Sequence, residues 1–365
     1  MLALWGVADR RLTTHSRMAL VLAPVVLFLV WFLAAGWAYA TGHAYGAEYR
    51  MVVTTGGDVS SSRFAVWSNT LALIAQEPWT GVGPGEFNLA WTLSAFPDRP
   101  TAFFDHSHNI VLQLMVELGV PLGTIVLALL SLSLHLAVRR AWSTPGELGV
   151  VKRTACMLVL LVGLHSLLEY PLWYAYFLLP AAFAWGIALF RTRADIIDVE
   201  PQESTVRSTR LLWTAAGTAM VLGACAAALD YWHVAAIYDP PENAAPLEDR
   251  IVRGQRSPLF GHHADYAAAT AFGPPNAPLS PSQELAFRRA PHQLLDVRLM
   301  IAWSQALAAQ GDLDKARWLA ARIREFRNPG ADEYFAPCQE PAQAAQAFQC
   351  QPPTREVHWR EFTRR

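Results

Sequence analysis

Apolar stretches separated by basic linkers constrain this chain more than any other feature of its sequence. The hydrocarbon core of a bilayer is about 30 Å thick, and a helix that crosses it needs about 20 apolar residues. Because lipid offers no partners to backbone polar groups, such stretches must be helical. We therefore predict an all-α, polytopic membrane protein with about five spans, at Met18 to Ala40, His108 to Val138, Thr154 to Leu168, Trp173 to Phe190 and Leu211 to Leu229.

The composition agrees with a membrane protein that also has a soluble portion. Of the 365 residues, 53% are hydrophobic and 16% are charged, whereas soluble domains carry about 25% charged residues. The formal net charge is −1, so the charge gives no reason to expect a nucleic-acid partner.

The basic residues predict how the spans are oriented. Short loops rich in Lys and Arg stay on the cytoplasmic side, and with five spans every basic cluster falls on that side. The loop 42–108, the hairpin 165–173 and the chain from residue 231 onward then lie outside, which is the periplasm in a Gram-negative bacterium. The clusters are Arg10, Arg11 and Arg17; Arg139, Arg140, Lys152 and Arg153; and Arg191, Arg193, Arg207 and Arg210.

The soluble tail is predicted to be helical. Ala286 to Phe326 has the pattern of paired helices with a turn at Gln310-Gly311-Asp312, and resembles one tetratricopeptide-like hairpin. A stable array needs about three such repeats, so we expect a small helical appendage. The packing positions of the hairpin are Leu307, Ala316, Leu319 and Ile323.

The cysteines are of two kinds. Cys338 and Cys350 lie in a polar, Pro-rich segment and can pair if that segment is in an oxidising compartment. Cys156 and Cys225 lie in apolar runs and are predicted to be small buried residues.

The predicted organisation has four parts. They are a cytoplasmic N-terminus with the first span at 1–41, a periplasmic loop at 42–108, spans two to five at 109–230 and a periplasmic helical domain at 231–365.

Two features organise the periplasmic loop. Ser61 to Glu77 predicts an amphipathic helix that lies at the interface or folds back into the protein. Gly81, Gly83 and Gly85 superficially resemble a dinucleotide loop, but they neither follow a strand nor open a βαβ unit. They are expected to form a turn through which the loop re-enters toward the bundle. The apolar face of the helix consists of Phe64, Trp67, Leu71 and Ile74.

A dense group of polar residues stands at the mouth of the second span. Polar groups cost free energy in hydrocarbon, so such a cluster is a candidate functional site. Three of its members recur at every fourth position, which predicts one polar stripe that faces the bundle. The group comprises Asp105, His106, His108, Asn109, Gln113 and Glu117, and the stripe comprises Asn109, Gln113 and Glu117.

The two histidines allow three interpretations. As metal ligands, two histidines at i, i+2 with one Asp form a weak set without a supporting motif. As structural residues, they cap or anchor the helix at the headgroup level. As catalytic residues, one of them acts as a general base toward an acceptor hydroxyl, since imidazole titrates near working pH and needs no cofactor.

Other charged residues are candidates for the same site. Arg50, Arg63 and Arg99 are the nearest cations in sequence, and Arg is suited to bind phosphate oxygens through two donors. The alternative interpretation, a solvated loop arginine, fits Arg99 better than Arg63, because Arg63 opens the amphipathic helix. His165 and Glu169 fall one turn apart, either as a structural pair or as groups that close over the same cavity.

Three motifs in order carry a resemblance to a known family. The chain resembles the O-antigen ligase family, and within it the pilin-type protein O-oligosaccharyltransferases, well over about residues 15–190 and loosely in the tail. His165-Ser166-Leu167-Leu168-Glu169-Tyr170-Pro171-Leu172-Trp173-Tyr174 is similar to the second signature of that branch. The motifs are Arg63-x3-Trp67, then Pro78-Trp79-x-Gly81-Val82-Gly83-Pro84-Gly85-x-Phe87, then His106-Ser107-His108-Asn109-x3-Gln113-x3-Glu117-x-Gly119.

The resemblance implies a metal-independent, inverting glycosyltransferase of the bacterial inner membrane that uses no cofactor. Such enzymes move a preassembled glycan from undecaprenyl pyrophosphate, a lipid-linked oligosaccharide donor, to an acceptor hydroxyl at the periplasmic face. The acceptor is a Ser or Thr of a protein such as a pilin, or a sugar of lipid A-core. An O-antigen polymerase is the alternative with the same donor chemistry, and membrane lipids surround either enzyme.

The resemblance also assigns roles to residues. The essential histidine of the family maps onto His106 and His108, with His108 expected as the base and His106 as its neighbour or substitute. The arginine that binds the pyrophosphate maps onto Arg63, and Arg50 is a second candidate. Asn109, Gln113, Glu117, His165 and Glu169 are expected to support them. This fits the chemistry, because a pyrophosphate is already a good leaving group and the enzyme has only to bind it, position the acceptor and remove one proton.

The chain departs from the family in its number of spans. Members of the family have many more than five, and the missing helices correspond to their N-terminal half. We therefore expect a C-terminal portion of such an enzyme. From a different class, the sequence also fits an inactive fragment or a membrane scaffold whose tail binds a periplasmic partner.

Overall fold

The computed structural model describes residues 6–7, 12–41, 63–97, 99–190, 203–271 and 278–363. Every regular element within these ranges is a helix. The α-helices are α1 Thr14–Thr41, α2 Arg63–Gln76, α3 Phe87–Leu93, α4 Ile110–Ser143, α5 Gly146–His165, α6 Ala175–Leu189, α7 Glu203–Tyr238, α8 Leu247–Gly254, α9 Gly261–Thr270, α10 Pro281–Arg289, α11 Val297–Ala309, α12 Leu313–Glu325, α13 Asp332–Phe335 and α14 Pro341–Ala344. Shorter 3₁₀ turns occupy Pro171–Trp173, Ala290–His292, Pro329–Ala331, Ala336–Gln339, Phe348–Cys350 and Trp359–Phe362.

Among the described residues, four helices are long and apolar enough to cross a membrane. They lie at Thr14–Ala34 of α1, in α4, in α5 and at Thr214–Tyr238 of α7. The helical membrane class that the sequence predicts is therefore confirmed. The remaining predicted span forms only the 15 residues of α6, about 22 Å of helix, because Pro171–Trp173 make a 3₁₀ turn and Tyr174 is extended. The count of five spans stays a prediction.

The described residues group into two compact units. These groups cut across the predicted parts, since the loop from Phe64 to Ser107 packs with the tail, and the four-part division stays a prediction. The first unit comprises Met1–Arg63, His108–Ile110 and Leu127–Phe190, and the second comprises Phe64–Ser107, Val111–Val126 and Arg191–Arg365.

The first unit packs its helices through small side chains. Small residues let helix backbones approach closely, which favours association inside lipid. Basic side chains then bind the helix ends: Arg140 donates to Leu189 O at 2.5 Å, and Arg153 donates to Thr144 O at 3.4 Å, in the way that cations favour C-terminal carbonyls. The buried contacts of this core are Ala137, Ala141, Ala155, Cys156, Val159, Ala184 and Ala188.

The free cysteines behave differently from each other. Cys156 is buried as predicted, whereas Cys225 is exposed, so the prediction for Cys225 was wrong. An apolar run does not tell which face of a spanning helix meets lipid. Cys338 and Cys350 form a disulfide, which agrees with the pairing that the sequence allows.

α4 is not one continuous helix. Gly119 adopts φ 77° and ψ 162°, which separates a short helix before it from a longer one after it. The uninterrupted span predicted from His108 to Val138 is corrected accordingly. The break follows from Gly, since only this residue adopts such a conformation without a steric cost.

The second unit has a core built from the loop and the tail. α11 and α12 form the predicted antiparallel hairpin, and Gly311 in the turn has φ 85°. Leu299, Met300 and Phe326 are fully buried, each contributing about 1.5–3 kcal/mol. The predicted packing positions Leu307, Ala316, Leu319 and Ile323 are also buried, although the likeness to a tetratricopeptide repeat stays a prediction.

The predicted apolar face of α2 was only partly right. Ile74 is buried, but Phe64 and Leu71 are exposed, and the buried face instead includes Val66 and Leu73. The short α2 carries apolar residues on more than one face, so periodicity alone did not select the buried one. The exposed rings of Phe64 and Trp79 suit a membrane interface.

Candidate functional site

His108 has a backbone conformation that is unusual for its residue type. Its φ is 55°, in the left-handed region, and non-glycine residues held there often belong to functional sites. It lies two residues before the start of α4, and its side chain is only 10% exposed. The conformation therefore turns the chain sharply at the helix entrance and keeps the imidazole out of bulk solvent.

The segment from His108 to Ile110 is bonded to the end of α5. Ile110 N donates to Ser166 O at 2.8 Å, and the Asn109 amide donates to Leu167 O at 3.1 Å. The first N–H groups of one helix and the last carbonyls of another lack partners within their own helices. Each end here satisfies the other, and this fixes His108 beside the turn that follows α5.

Glu169 links the histidine to an arginine. Its Oε2 lies 2.7 Å from His108 Nδ1, and its Oε1 accepts a hydrogen bond from Arg63 Nη2. The three side chains lie in the first unit, Arg63 at the start of α2 and Glu169 in the turn after α5. The structure thus brings together three residues that the sequence separates by up to 106 positions.

The carboxylate of Glu169 is held in its charged form. Burial alone would raise the pKa of Glu169, but the hydrogen bonds from His108 and Arg63 and the charge of Arg63 outweigh it, so the pKa lies below its usual range. A carboxylate only accepts hydrogen bonds, so His108 Nδ1 carries a proton and Nε2 is the acceptor nitrogen of the neutral ring. Tyr170 packs its ring edge-to-face with the imidazole at 4.7 Å between centroids.

This arrangement has a definite chemical capacity. A histidine oriented by a carboxylate can accept a proton at Nε2 while the carboxylate stabilises the imidazolium that forms. Arg63 is about one-third exposed, and a guanidinium has five N–H donors, so it retains donors for an anion while it binds Glu169. The sequence suggested that Glu169 lies near the site. It did not reveal that Glu169 bonds to His108 or that Tyr170 packs against the His108 ring.

The polar stripe of α4 lies in the second unit. Gln113 is buried, accepts a hydrogen bond from Ser107 N at 2.7 Å and donates one to Glu117 Oε1 at 2.9 Å. Gln113 and Glu117 therefore share one face as predicted. Asn109 does not belong to that face, because the helix begins at Ile110 and the Asn109 amide bonds to Leu167 O.

His106 has different surroundings from His108. Its Nδ1 lies 3.1 Å from Asp105 Oδ1, and its side chain is mostly buried. Both histidines therefore have a carboxylate neighbour, at 2.7 Å for His108 and at 3.1 Å for His106, and the stated roles of the two histidines stay predictions. In the part of the chain that the structure describes, no group of three His, Cys, Asp or Glu side chains is placed to hold a metal ion.

The glycine-rich loop forms the turn that the sequence predicts. Val82 N donates to Val116 O at 2.8 Å and Gly83 N donates to Glu117 O at 3.1 Å, at the break in α4. A Cβ on Gly81 would lie 2.6 Å from Glu117 O, and one on Gly119 would collide with the backbone of Trp79. Both glycines are needed where two backbones approach this closely. The only sign of this approach in the sequence of α4 was Gly119, an isolated glycine in an apolar run.

The remaining predicted site residues lie elsewhere. Arg50 falls outside the described residues. His165 is exposed, and its ring packs edge-to-face with Phe177 at 6.0 Å rather than closing over His108. Its backbone carbonyl accepts from Glu169 N at 2.9 Å, so these two residues form a backbone pair.

Arg99 is not the solvated loop arginine that we predicted. It is buried against Trp91, Phe96 and Phe326, and its Nε donates to Glu325 Oε2 at 2.8 Å. Burial lowers the pKa of Arg99 to about 10, although Glu325 opposes the shift. The aromatic faces attract the cation and replace part of its hydration. Arg99 therefore stabilises the core of the second unit.

Taken together, these features define a helical membrane protein with a buried histidine, a carboxylate and an arginine at the ends of its helices. A family model described as O-antigen ligase matches residues 1–127, and one described as virulence factor membrane-bound polymerase, C-terminal, matches residues 154–333.

Two proteins of Acinetobacter baylyi are similar to this chain. The general O-oligosaccharyltransferase is 32% identical over 151 residues, which cover 41% of this chain and 25% of that protein. The ComP-specific O-oligosaccharyltransferase is 32% identical over 130 residues, which cover 35% of this chain and 22% of that protein. No solved structure matches the chain.

The chain belongs to the O-antigen ligase family, in the branch of the protein O-oligosaccharyltransferases. The family predicted from the motifs is thereby confirmed, and the two similar proteins are named O-oligosaccharyltransferases. The matched segment spans only about a quarter of the length of these curated relatives.

Proposed function

We propose that this chain transfers a preassembled glycan from undecaprenyl pyrophosphate to an acceptor hydroxyl at the periplasmic face of the inner membrane. The acceptor we favour is a Ser or Thr of a pilin-like protein, because both similar proteins are named O-oligosaccharyltransferases. The observation that carries the proposal is the contact of 2.7 Å between His108 Nδ1 and Glu169 Oε2, with Arg63 on the other carboxylate oxygen.

His108 acts as the general base. Its Nε2 removes the proton of the acceptor hydroxyl while the oxygen attacks the anomeric carbon of the first sugar. The bond from that carbon to the pyrophosphate oxygen breaks, and undecaprenyl pyrophosphate leaves with the electron pair and with inversion of configuration. Glu169 orients the imidazole ring. Its negative charge also stabilises the imidazolium that forms, because few water molecules are present to do so.

Arg63 binds the pyrophosphate of the donor. The charge that develops on the leaving oxygens is stabilised by donors that are already oriented, and the bond to Glu169 restricts the Arg63 side chain before the donor arrives. His106 is the substitute base, and Arg50 is a second anion-binding candidate. Gln113, Glu117 and Asn109 support the helix entrance through the bonds described above.

The predicted orientation rests on two independent features. The basic linkers favour the cytoplasmic side, and the disulfide between Cys338 and Cys350 suits an oxidising compartment such as the periplasm. Both features support a periplasmic site and tail, where a lipid-linked glycan and an exported acceptor meet.

The test is glycosylation of a pilin acceptor in cells that supply a lipid-linked glycan, with the chain and with its His108→Ala variant. We expect the variant to lose about 10²–10⁴-fold in rate, the usual contribution of a general base. His15→Ala is the matched control, since it alters an exposed histidine of the same unit outside the predicted site, and it should keep its activity. Equal glycosylation by the chain and by His108→Ala would contradict the assignment.

A polymerase is the second candidate function. It is favoured by the match of residues 154–333 to the C-terminal model of a membrane-bound polymerase. A chain that extends lipid-linked glycans in the same cells, while the pilin stays unmodified, would establish this alternative. A chain that does neither would favour the fragment or scaffold hypothesis.

A further inference from the structure

A cavity of about 530 Å³ lies in the second unit, and none of the residues assigned to glycan transfer lines it. Its walls come from α10, the 3₁₀ turn after it, α11 and the turn Trp359–Phe362, with Leu89 of α3. Small-molecule sites typically enclose about 300–1,000 Å³. The cavity is therefore large enough for a ligand of several rings.

One part of the cavity wall is aromatic. Phe287 and Trp303 are held by the core and are each less than 10% exposed, yet both border the cavity. Phe362 packs edge-to-face with Trp303 at 5.2 Å between centroids. Rings fixed in this way offer a rigid apolar surface that loses little conformational freedom when a ligand binds.

The other part of the wall is polar. Glu284, Arg288 and His292 follow each other at four-residue spacing along α10 and its turn, so they project on one side. Gln310 caps the end of α11 and completes the set. Carboxylate, guanidinium, imidazole and amide are all planar groups, and all but the imidazole can engage two neighbouring hydroxyls at once.

The charges around the cavity balance. Glu284 and Arg288 have opposite signs, and His292 Nδ1 lies 2.8 Å from Glu86 Oε1, which offsets the imidazolium. A phosphate or a strongly charged peptide would find no surplus of opposite charge here. Aromatic rings, planar polar groups and balanced charge together fit a neutral polyhydroxylated ligand.

We propose that this cavity binds neutral pyranose units of a glycan. The C–H face of a sugar packs against Trp303 and Phe362, and the hydroxyls pair with Glu284, Arg288 and Gln310. The affinity of the cavity for sugar is independent of the proposed function. Only the statement that the bound sugar belongs to the transferred glycan rests on that function.

One residue of the cavity wall, His292, is bonded to the glycine-rich loop. Glu86, which fixes His292, directly follows Gly85 of the glycine-rich loop, and Val82 and Gly83 of that loop bond to α4. His292 is thus connected through Glu86 to the loop that bonds to α4. If the bound sugar belongs to the donor, as the proposed function implies, the cavity should act on the KM for that donor.

The test measures binding of maltotriose and of triacetylchitotriose to the full chain in detergent, by saturation-transfer NMR and titration calorimetry. Arg288→Ala with Gln310→Ala should weaken binding about tenfold, since the hydrogen bonds of both side chains to the sugar are lost. Both residues are exposed, so the fold should survive. The matched control, Arg298→Ala with Gln305→Ala, removes the same two side-chain types from a different cavity and should leave the affinity unchanged.

Several results would overturn the proposal. They are the failure of both saccharides to bind, an equal loss of affinity in the control, and binding of a pilin peptide at the cavity in place of sugar. Saccharide affinity that depends on His108 and not on Arg288 would place the sugar at the transfer site and would also contradict it. Because binding is measured without transfer, an inactive chain that binds saccharide would contradict the proposed function alone.

Discussion

At the residue scale, Glu169 is the group on which the site depends. It bonds to both His108 and Arg63, and its lowered pKa keeps it charged over the working range. A carboxyl with a depressed pKa stabilises the folded arrangement above its unfolded pKa and loses that contribution as the pH falls through the folded value. The arrangement of the three side chains should therefore persist at neutral and mildly acidic pH.

Glu169→Gln tests this dependence. The amide keeps the size but not the charge, so we expect a loss of kcat smaller than that of His108→Ala. The acid limb of the pH–rate profile should also move to lower pH, because an imidazole without a neighbouring anion protonates less readily. Steady-state rates of pilin glycosylation across pH give both readouts. Glu147→Gln, an exposed residue in the first turn of α5, is the control, and an unshifted profile in Glu169→Gln would contradict the role.

His292 supplies a second pH dependence, in stability. The hydrogen bond with Glu86 raises the pKa of His292, so the pair stabilises the fold fully below the unfolded pKa of about 6.5. This contribution disappears as the pH rises through the raised folded value. The thermal midpoint of the detergent-solubilised chain should fall over that window, and His292→Gln should lose part of the fall. His263→Gln is the control; if it flattens the curve as much as His292→Gln, the pair is not the cause.

The arginines show what a sequence tells about single residues. The start of an amphipathic helix favoured Arg63 over Arg99 as a candidate site residue. That role stays a prediction, and the structure adds the contact of Arg63 with Glu169. The burial of Arg99 was not predictable, because Phe326 and Glu325 lie more than 220 residues further along the chain. A local pattern contains no information on such partners.

At the element scale, the glycine-rich loop and the break in α4 depend on the close approach of two backbones. Gly119→Ala forces a left-handed residue and a collision with Trp79, which should cost more than the about 1–3 kcal/mol of backbone strain alone. Gly85→Ala is the matched control, since Gly85 has φ 78° but open space around it. Thermal unfolding in detergent measures both, and equal losses would show that the close approach does not matter.

The elements themselves were largely predictable, and their faces were not. Hydrophobic length predicted the spanning helices, and the Gln310-Gly311-Asp312 turn predicted the α11–α12 hairpin, since Gly311 permits φ 85° and Asp312 caps α12. The buried side of α2 belongs to a core that the loop, α4 and the tail build together, and it could not be derived from the periodicity of α2. The break at Gly119 required the partner backbone of Trp79.

At the scale of the whole molecule, the second unit joins segments that are far apart in sequence. Trp318 Nε1 donates to Leu93 O at 2.8 Å, and Leu295 N donates to Asn88 Oδ1 at 2.8 Å. Arg360 binds both Glu77 Oε1 at 2.7 Å and Gly81 O at 3.0 Å. The loop that carries the family motifs is therefore stabilised by the tail, so the tail is part of the fold of that loop and not a separate appendage.

The orientation of this unit can be tested through its disulfide. In a background with Cys156→Ala and Cys225→Ala, only Cys338 and Cys350 remain. If the tail is periplasmic, both should resist maleimide labelling in intact cells and become reactive after reduction. In cells that lack periplasmic disulfide catalysts they should label without reductant. Loss of the bond through Cys338→Ser should destabilise the tail by about 2–4 kcal/mol, because it frees a closed loop in the unfolded chain. Thiols that label in wild-type cells only after the inner membrane is permeabilised would place the tail in the cytoplasm, and would contradict the proposed site of glycan transfer with it.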